Sequence, residues 1–170
     1  MKLSEKMVQG LNEQIGHEFG AKLQYLSIAA YFDSEDLPQL AQFFYQQANE
    51  EDMHAMKFVS YLVDNDCPVE IPALDKPKSQ FNSAAETADL SLDWEKTVTS
   101  QINELVAQAQ KDNDNRTQEF LRWFVTEQVE EEATMRTLQR TFQRAGENLL
   151  WVEDFLARNP LPQPASNGAA

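Results

Sequence analysis

Apolar side chains recur every three or four residues along four long segments of the chain, the spacing that places them on one face of an α-helix. The first of these stripes runs Met7, Leu11, Gln14, Glu18, Ala21, Tyr25, Ala29 and Phe32. The second runs Leu37, Leu40, Phe44, Gln47, Glu51, His54, Phe58 and Tyr61. The pattern predicts two long amphipathic helices, each of which buries one side.

Two further stripes follow later in the chain. One runs Ala88, Leu92, Glu95, Val98 or Thr99, Ile102, Leu105 and Ala109. The other runs Phe120, Phe124, Glu127, Glu131, Leu138 and Phe142. They predict a third and a fourth long helix, and the apolar residues between positions 148 and 157 predict a short fifth one.

Local signals indicate where the first two helices begin and end. Ser4 is a good N-cap for a first helix that extends to about Phe32. The polar residues 33–36 predict a turn, and the second helix is expected over about residues 37–65.

The later helices have their own start and stop signals. Ser83 and Glu86 fit a capping box at the start of the third helix. Asn115 together with Gln118 is expected to cap the fourth helix, and Gly146 to end it.

The segment between the second and third helices is too long for a simple hairpin. Residues 66–82 contain three prolines and no helical period, whereas a hairpin between bundle neighbours needs only about 2–8 residues. Extended at about 3.3 Å per residue, the segment can travel the length of a helix that rises about 1.5 Å per residue. The predicted fold is therefore all-α: a four-helix bundle with a long crossover between helices 2 and 3, which run in the same direction, plus a short C-terminal fifth helix. A single domain is expected over residues 1–158, followed by a disordered tail at 159–170.

Composition narrows the range of partners. The 170 residues carry a formal net charge of −14, which argues against nucleic acid and anionic membranes as partners and is compatible with attracting cations. Cys67 is the only cysteine, so neither a disulfide framework nor a zinc site of paired cysteines is predicted. The sequence has no signal peptide pattern and no run of about 20 apolar residues. We therefore expect a cytoplasmic protein that does not span a membrane.

Each of the four stripes carries a carboxylate near its middle. These residues are Glu18, then Glu51 with His54 three positions later, then Glu95, and finally Glu127 with Glu131. A buried, unpaired carboxylate costs several kcal/mol, and the stripes contain no lysine or arginine that would neutralise it. Either each helix happens to bury one acid, or the stripes are drawn wrongly, or a metal ion supplies the opposite charge. Oxygen ligands with one imidazole suit iron or manganese, and one bridging carboxylate would favour a dinuclear centre.

With these acids in place, the sequence resembles the ferritins, specifically the haem-free bacterial ferritins. The resemblance covers about residues 3–157 and rests on the segments 11–14, 50–54, 102–105 and 120–132, together with Glu18, Tyr25 and Glu95. It implies a hollow homo-oligomeric shell of 24 subunits that stores a mineral of iron.

The resemblance also implies roles for individual residues. Glu18, Glu51 and His54 match the first iron position, and Glu51 matches the bridge between two irons. Glu95 with Gln128 or Glu131 matches the second position, and Tyr25 matches the tyrosine beside the centre.

A third iron position is expected beside the pair. Glu50 lies on the flank of Glu51, and Glu127 and Glu130 point to a shared sector of the fourth helix, with Glu131 turned inward. The alternative is a solvated acidic flank, since positions 127–132 are rich in acids. The resemblance favours the iron site, because haem-free bacterial ferritins keep a third iron at the matching positions.

The sequence departs from two related groups. The fourth helix lacks the second Glu-x-x-His of bacterioferritins and di-iron oxygenases. Asp52 stands where bacterioferritins carry the methionine that ligates haem, so no haem is predicted.

We therefore expect a ferroxidase that stores iron, with Fe(II) and O2 (or H2O2) as its substrates and Tyr25 and Glu51 as catalytic residues. One alternative is a di-iron enzyme that consumes peroxide, or acts on an organic substrate, without storing mineral. Another is a helical interaction protein with buried acids and no catalysis.

Overall fold

A computed structural model describes residues 2–161, and within them the chain forms helices and no strands. The helices are α1 (Glu5–Ser34), α2 (Pro38–Asp64), α3 (Ala84–Lys111), α4 (Asn115–Ala145) and α5 (Leu149–Arg158). The all-α prediction, including the short fifth helix, is confirmed. Of the predicted tail at 159–170, residues 162–170 lie outside the described residues, while Leu161 packs on the core.

Side-chain caps explain where α1 and α3 begin. Ser4 Oγ accepts a hydrogen bond from the Met7 amide, and Ser83 Oγ accepts one from the Glu86 amide. The expected capping box is only half formed, because the Glu86 carboxylate accepts from the amide of Asn82 rather than from that of Ser83. The cap of α3 therefore also fixes the end of the preceding segment.

The prediction for the start of α4 was wrong by one residue. Asp114, not Asn115, is the N-cap, and its carboxylate accepts hydrogen bonds from the amides of Arg116 and Thr117. Asn113 has a φ of 53°, so the chain reverses before Asp114 and leaves the aspartate facing the open amides. The connection between α1 and α2 also begins later than expected, because α1 continues to Ser34 rather than ending at about Phe32.

The crossover between α2 and α3 runs along α1. Asn12 donates to the carbonyl of Pro68, and further along the bundle Gln24 exchanges two hydrogen bonds of 2.9 Å with the backbone of Lys78. Because these contacts follow α1 in the direction of its own chain, α2 and α3 run in the same direction, as predicted.

A glycine makes room for this crossover. A Cβ atom on Gly16 would lie 2.3 Å from Cγ of Pro72, closer than two carbon atoms can approach. Only glycine therefore allows the crossover to lie this close to α1.

The four long helices form two hairpins, α1 with α2 and α3 with α4, and α5 packs against α2 and α4. Glu153 of α5 accepts hydrogen bonds of 2.8 Å from the amides of Gln39 and Leu40. These amides are among the unpaired donors at the start of a helix. A carboxylate from α5 thus caps α2 and fixes the position of the short helix.

The apolar core is divided into two clusters. One contains Phe32, Phe44 and Phe142, and the other contains Phe58 and Phe124. Each fully buried aromatic side chain contributes about 1.5–3 kcal/mol to folding. Along every long helix, the acids of the stripe fall between residues of one cluster and residues of the other. The bundle therefore has a polar layer at its middle, enclosed by apolar packing at both ends.

Candidate metal centre

The polar layer contains the acids that the stripes predicted. Glu18, Glu51, Glu95 and Glu131 are each exposed by 3% or less, and His54 by 3%. Their helices place them at the same level because the residues before and after them pack into the two apolar clusters.

The first ligand group joins α1 to α2. Ligand atoms of Glu18, Glu51 and His54 all lie within 4.8 Å of one another. His54 Nδ1 is 3.2 Å from Oε2 of Glu51 and 4.0 Å from Oε2 of Glu18. As their i,i+3 spacing predicted, Glu51 and His54 project from one turn of α2, and both side chains point toward Glu18.

The second ligand group joins α2 to α4. Ligand atoms of His54, Glu127 and Glu131 also lie within 4.8 Å of one another. His54 is thus shared between the two groups, which the sequence did not suggest.

Glu95 lies beside these groups and is held by hydrogen bonds from two helices. One of its oxygens accepts from the Tyr25 hydroxyl and the other accepts from Gln128 Nε2 at 3.2 Å. Gln128 also donates to the backbone carbonyl of Glu95 at 3.1 Å. Glu95 and Gln128, predicted for one metal position, are therefore in direct contact.

Burial dominates the electrostatics of the layer. It raises the pKa of Glu18 well above the usual range, and the neighbouring charge of Glu51 raises it further. Burial, and then the charge of Glu95, likewise raise the pKa of Glu51 and of Glu131. Burial raises the pKa of Glu95 to about 7, although the hydrogen bond from Tyr25 opposes this shift. Without a cation, such acids retain protons near neutral pH.

The residues of the layer fit a hard metal cation. Among the described residues, no buried side chain is a lysine or arginine, whereas six glutamates are buried. Oε1 of Glu127 and Oε1 of Glu131 are buried without a hydrogen-bond partner within the described part of the chain. Carboxylate oxygens with one imidazole form a donor set that suits iron or manganese.

Tyr25 is 1% exposed and donates its hydroxyl hydrogen to Glu95. Burial, followed by the charge of Glu95, raises the pKa of Tyr25 well above its usual value. The hydroxyl therefore stays protonated and acts as a donor.

The three acids expected to form a third position are only partly brought together. Glu50 and Glu127 are buried, and the charge of Glu127 is the second cause, after burial, that raises the pKa of Glu50 to about 8. Glu130 is exposed and belongs to neither ligand group. Its charge contributes, behind burial, to the raised pKa of Glu127.

The sequence matches the ferritin-like domain family over residues 8–145. The chain belongs to the ferritin family. The ferritin BfrB of Mycobacterium tuberculosis is 50% identical over 159 residues, which make up 94% of this chain and 88% of that protein. A bacterial non-heme ferritin of Staphylococcus aureus is 40% identical over 146 residues, or 86% of this chain and 88% of that protein. These relatives support the haem-free bacterial branch of the family and a role in iron storage.

Solved ferritin structures agree with the fold. An open pore ferritin from the hyperthermophilic archaeon Archaeoglobus fulgidus superposes with a TM-score of 0.90 at 35% identity, covering 95% of this chain and 100% of that one. Among the described helices of this ferritin, none combines the length and apolar character needed to cross a membrane.

Three residues of this ferritin contact the centre without having been predicted to do so. Gln14 Nε2 donates to Oε1 of Glu18 at 2.8 Å, and Gln47 donates to Glu50. Trp123 packs edge-on against the ring of His54, with centroids 5.4 Å apart. Both glutamines stand on core stripes three or four residues before an acid, and this spacing was the available signal.

Asp52, at the place where bacterioferritins carry a haem-ligating methionine, forms an ion pair of 2.6 Å with Lys22 of α1. Both side chains are partly exposed, so the pair adds at most about 1 kcal/mol to stability. His17, one position before Glu18, is half-buried and belongs to neither ligand group.

Proposed function

We propose that this ferritin is a ferroxidase that oxidises Fe(II) with O2 at a dinuclear centre and stores the Fe(III) as mineral in an oligomeric cage. The observation that carries the proposal is the buried layer of six glutamates and one histidine, which contains no lysine or arginine among the described residues. Divalent iron would supply the missing positive charge.

Glu51 is the proposed bridge between the two irons. Its carboxylate contacts His54, whose Nδ1 also lies near Glu18, and the charge of Glu95 contributes, behind burial, to its raised pKa. Fe(II) held by Glu18, Glu51 and His54 would thus lie next to Fe(II) held by Glu51, Glu95 and Glu131. Gln128 would orient Glu95 or take part in binding at that second position.

The proposed reaction balances in electrons and protons. Two Fe(II) ions give up one electron each, and O2 takes both electrons and two protons to form H2O2. Four Fe(II) ions reduce O2 to two molecules of water with four protons. The protein supplies the geometry and the charge, while the electrons come from the iron. The acids with raised pKa release their protons when Fe(II) binds, which places protons beside the oxygen that is reduced.

A third iron position is proposed at Glu50, Glu127 and Glu130, with Glu131 shared with the pair. Its support is the proximity of two buried carboxylates, Glu50 and Glu127, together with the unpartnered Oε1 of Glu127. Iron there would pass between the pair and the cavity, or supply a further electron.

Several finer features follow from the family and are proposed for this chain. They are a homo-oligomer of 24 subunits, the absence of haem, H2O2 as a second oxidant, and action in the cytoplasm. Nucleic acid and membranes are not proposed as partners.

A peroxide-consuming di-iron enzyme without mineral is the alternative, because it would use the same ligands. Aerobic addition of Fe(II) to metal-free protein distinguishes the two, with O2 consumption, ferric absorbance and particle mass followed together. Storage requires that Fe(III) far in excess of the number of binding sites elutes with a large particle. O2 consumption with no ferric iron retained would support the alternative, and the absence of iron-dependent O2 consumption would contradict both.

A further inference from the structure

A groove of about 460 Å³ follows the seam between α1 and α3 on the outside of the bundle. It lies where the two helical hairpins meet, and both polar side chains and apolar surface line it. The lining residues on which the argument depends are Glu13, Gln14, His17, Gln101 and Glu104.

Gln14 is the point at which this groove reaches the candidate metal centre. Its side chain is 1% exposed, yet it lines the groove. On the inner side Nε2 donates to Oε1 of Glu18 at 2.8 Å, and on the outer side Oε1 lies 3.4 Å from His17 Nδ1. One amide group therefore separates the groove from a carboxylate of the first ligand group.

The opposite wall offers a polar atom that has no hydrogen-bond partner among the described residues. Gln101 of α3 lines the groove, and its Oε1 is buried without a hydrogen-bond partner among the described residues. His17 and Gln101 also line an adjoining hollow of about 290 Å³. The groove and the hollow thus meet at these two residues, and an unpaired carbonyl oxygen is a ligand type that hard cations accept.

We propose that Fe(II) reaches the centre through this groove and that the amide of Gln14 is its gate. Lys6 and Lys111 also line the groove, each seven positions from the nearer glutamate on its helix and further from Gln14. Glu13 and Glu104, both exposed, attract the hydrated cation to the part of the seam nearer Gln14. Gln14 holds Glu18 in place until iron arrives and then turns aside, so that the freed carboxylate oxygen binds the metal. Gln14 is thus a positioning residue, and its role rests on the proposed ferroxidase function.

Anaerobic binding of Co(II), followed by stopped-flow absorbance, tests the gate separately from redox chemistry. Gln14→Leu keeps the length of the side chain but removes the amide. Leucine still fills the entrance but offers no amide oxygen to the arriving cation, so the expected result is uptake slowed by about tenfold, with the same number of Co(II) ions bound per chain at equilibrium. An unchanged or faster rate, or a loss of bound Co(II) at equilibrium, would overturn the gate.

Gln47→Leu is the matched control, because Gln47 makes the same kind of hydrogen bond to the acid Glu50 but does not line the groove. The Gln47→Leu variant measures how far the loosening of a nearby carboxylate slows Co(II) uptake when the groove is unchanged. Equal slowing in the two variants would contradict the proposal, since it would assign both effects to ligand positioning alone.

The route has a second test that changes only exposed residues, so its outcome does not depend on whether Gln14→Leu folds. A chain carrying both Glu13→Gln and Glu104→Gln should take up Co(II) more slowly, and the difference should shrink at high salt. Glu147→Gln removes an exposed carboxylate away from the groove and serves as control. Equal rates for the double variant and the control would overturn the route. If wild-type protein binds Co(II) but consumes no O2 with Fe(II), the ferroxidase proposal fails while the gate is still judged by these rates.

Discussion

Tyr25 donates its hydroxyl hydrogen to Glu95, and this bond joins α1 to α3 at the middle of the bundle. Both residues are 1% exposed. The bond lowers the pKa of Glu95 against the stronger effect of burial. It therefore favours the charged carboxylate, which is the form that binds a metal ion.

Tyr25→Phe should slow the oxidation of the first two Fe(II) ions by about tenfold. Removing the hydroxyl raises the pKa of Glu95 further and frees its carboxylate to rotate. The measurement is stopped-flow ferric absorbance at two Fe(II) per chain. Tyr31→Phe is the control, because Tyr31 lies on the same helix but packs against Phe32 and Phe81, away from the acids. Identical oxidation kinetics in the wild type, Tyr25→Phe and Tyr31→Phe would contradict a role for the Tyr25 hydroxyl in oxidation and leave Tyr25 with a packing role only.

Glu130→Ala should leave the fast oxidation of the first two irons largely intact, because Glu130 is exposed and lies outside both ligand groups. It should instead lower the number of iron ions bound per chain and slow the recovery of the centre between successive additions. Iron titration and repeated stopped-flow additions measure both effects. An iron-soaked crystal with a full pair and no metal near Glu50, Glu127 and Glu130 would refute the third position.

The stability of the metal-free protein should fall as the pH rises from about 5 to about 8.5. Burial raises the pKa of Glu95 to about 7 and that of Glu50 to about 8 in the folded chain, against an ordinary value of 4.5. The folded state therefore binds these protons more tightly than the unfolded state. The resulting stabilisation is complete below the ordinary pKa and is lost as the pH rises through 7 and 8.

Thermal unfolding across this pH range measures the effect. Co(II) at pH 8 should raise the unfolding temperature, since a bound cation replaces the protons. Glu95→Gln should make the decline with pH shallower. A metal-free protein whose unfolding temperature rises toward pH 8 would contradict the raised pKa values of the buried glutamates.

Gly16→Ala should destabilise the fold by about 1–3 kcal/mol, because the added Cβ would clash with Pro72 and displace the crossover. Gly20→Ala on the same helix is the matched control. Its Cβ would meet Trp94 at 3.4 Å, an ordinary contact, so the higher helix propensity of alanine should make it neutral or stabilising by up to about 1 kcal/mol. Urea unfolding of both variants measures the difference, and equal stabilities would contradict the close approach of Pro72.

The helices and the acids of the centre were predictable because both depend on periodicity within one segment. Glu18, Glu51 and His54 stand on stripes that must face the core in any bundle, and their burial follows from that alone. The direction of α3 was predictable from the length of residues 66–82. The assignment of these acids to specific iron positions came from the resemblance to ferritins.

Features that depend on how helices approach one another were not predictable. The sharing of His54 between Glu51 and Glu127 requires the distance between α2 and α4, which no local pattern contains. The cap that Glu153 places on α2 joins residues more than a hundred positions apart. The roles of Gln14 and Gln47 were missed for a different reason, since amides on a core stripe look like ordinary buried polar residues until their partners are known.

O2 consumption by Glu51→Ala at two Fe(II) per chain tests the dinuclear assignment most directly. Asp93→Ala is the control, since it removes an exposed carboxylate from α3. The account predicts fast O2 consumption by the wild type and by Asp93→Ala, and a rate lowered at least about a hundredfold in Glu51→Ala. Consumption by Glu51→Ala at the wild-type rate would contradict a centre in which this carboxylate bridges two irons.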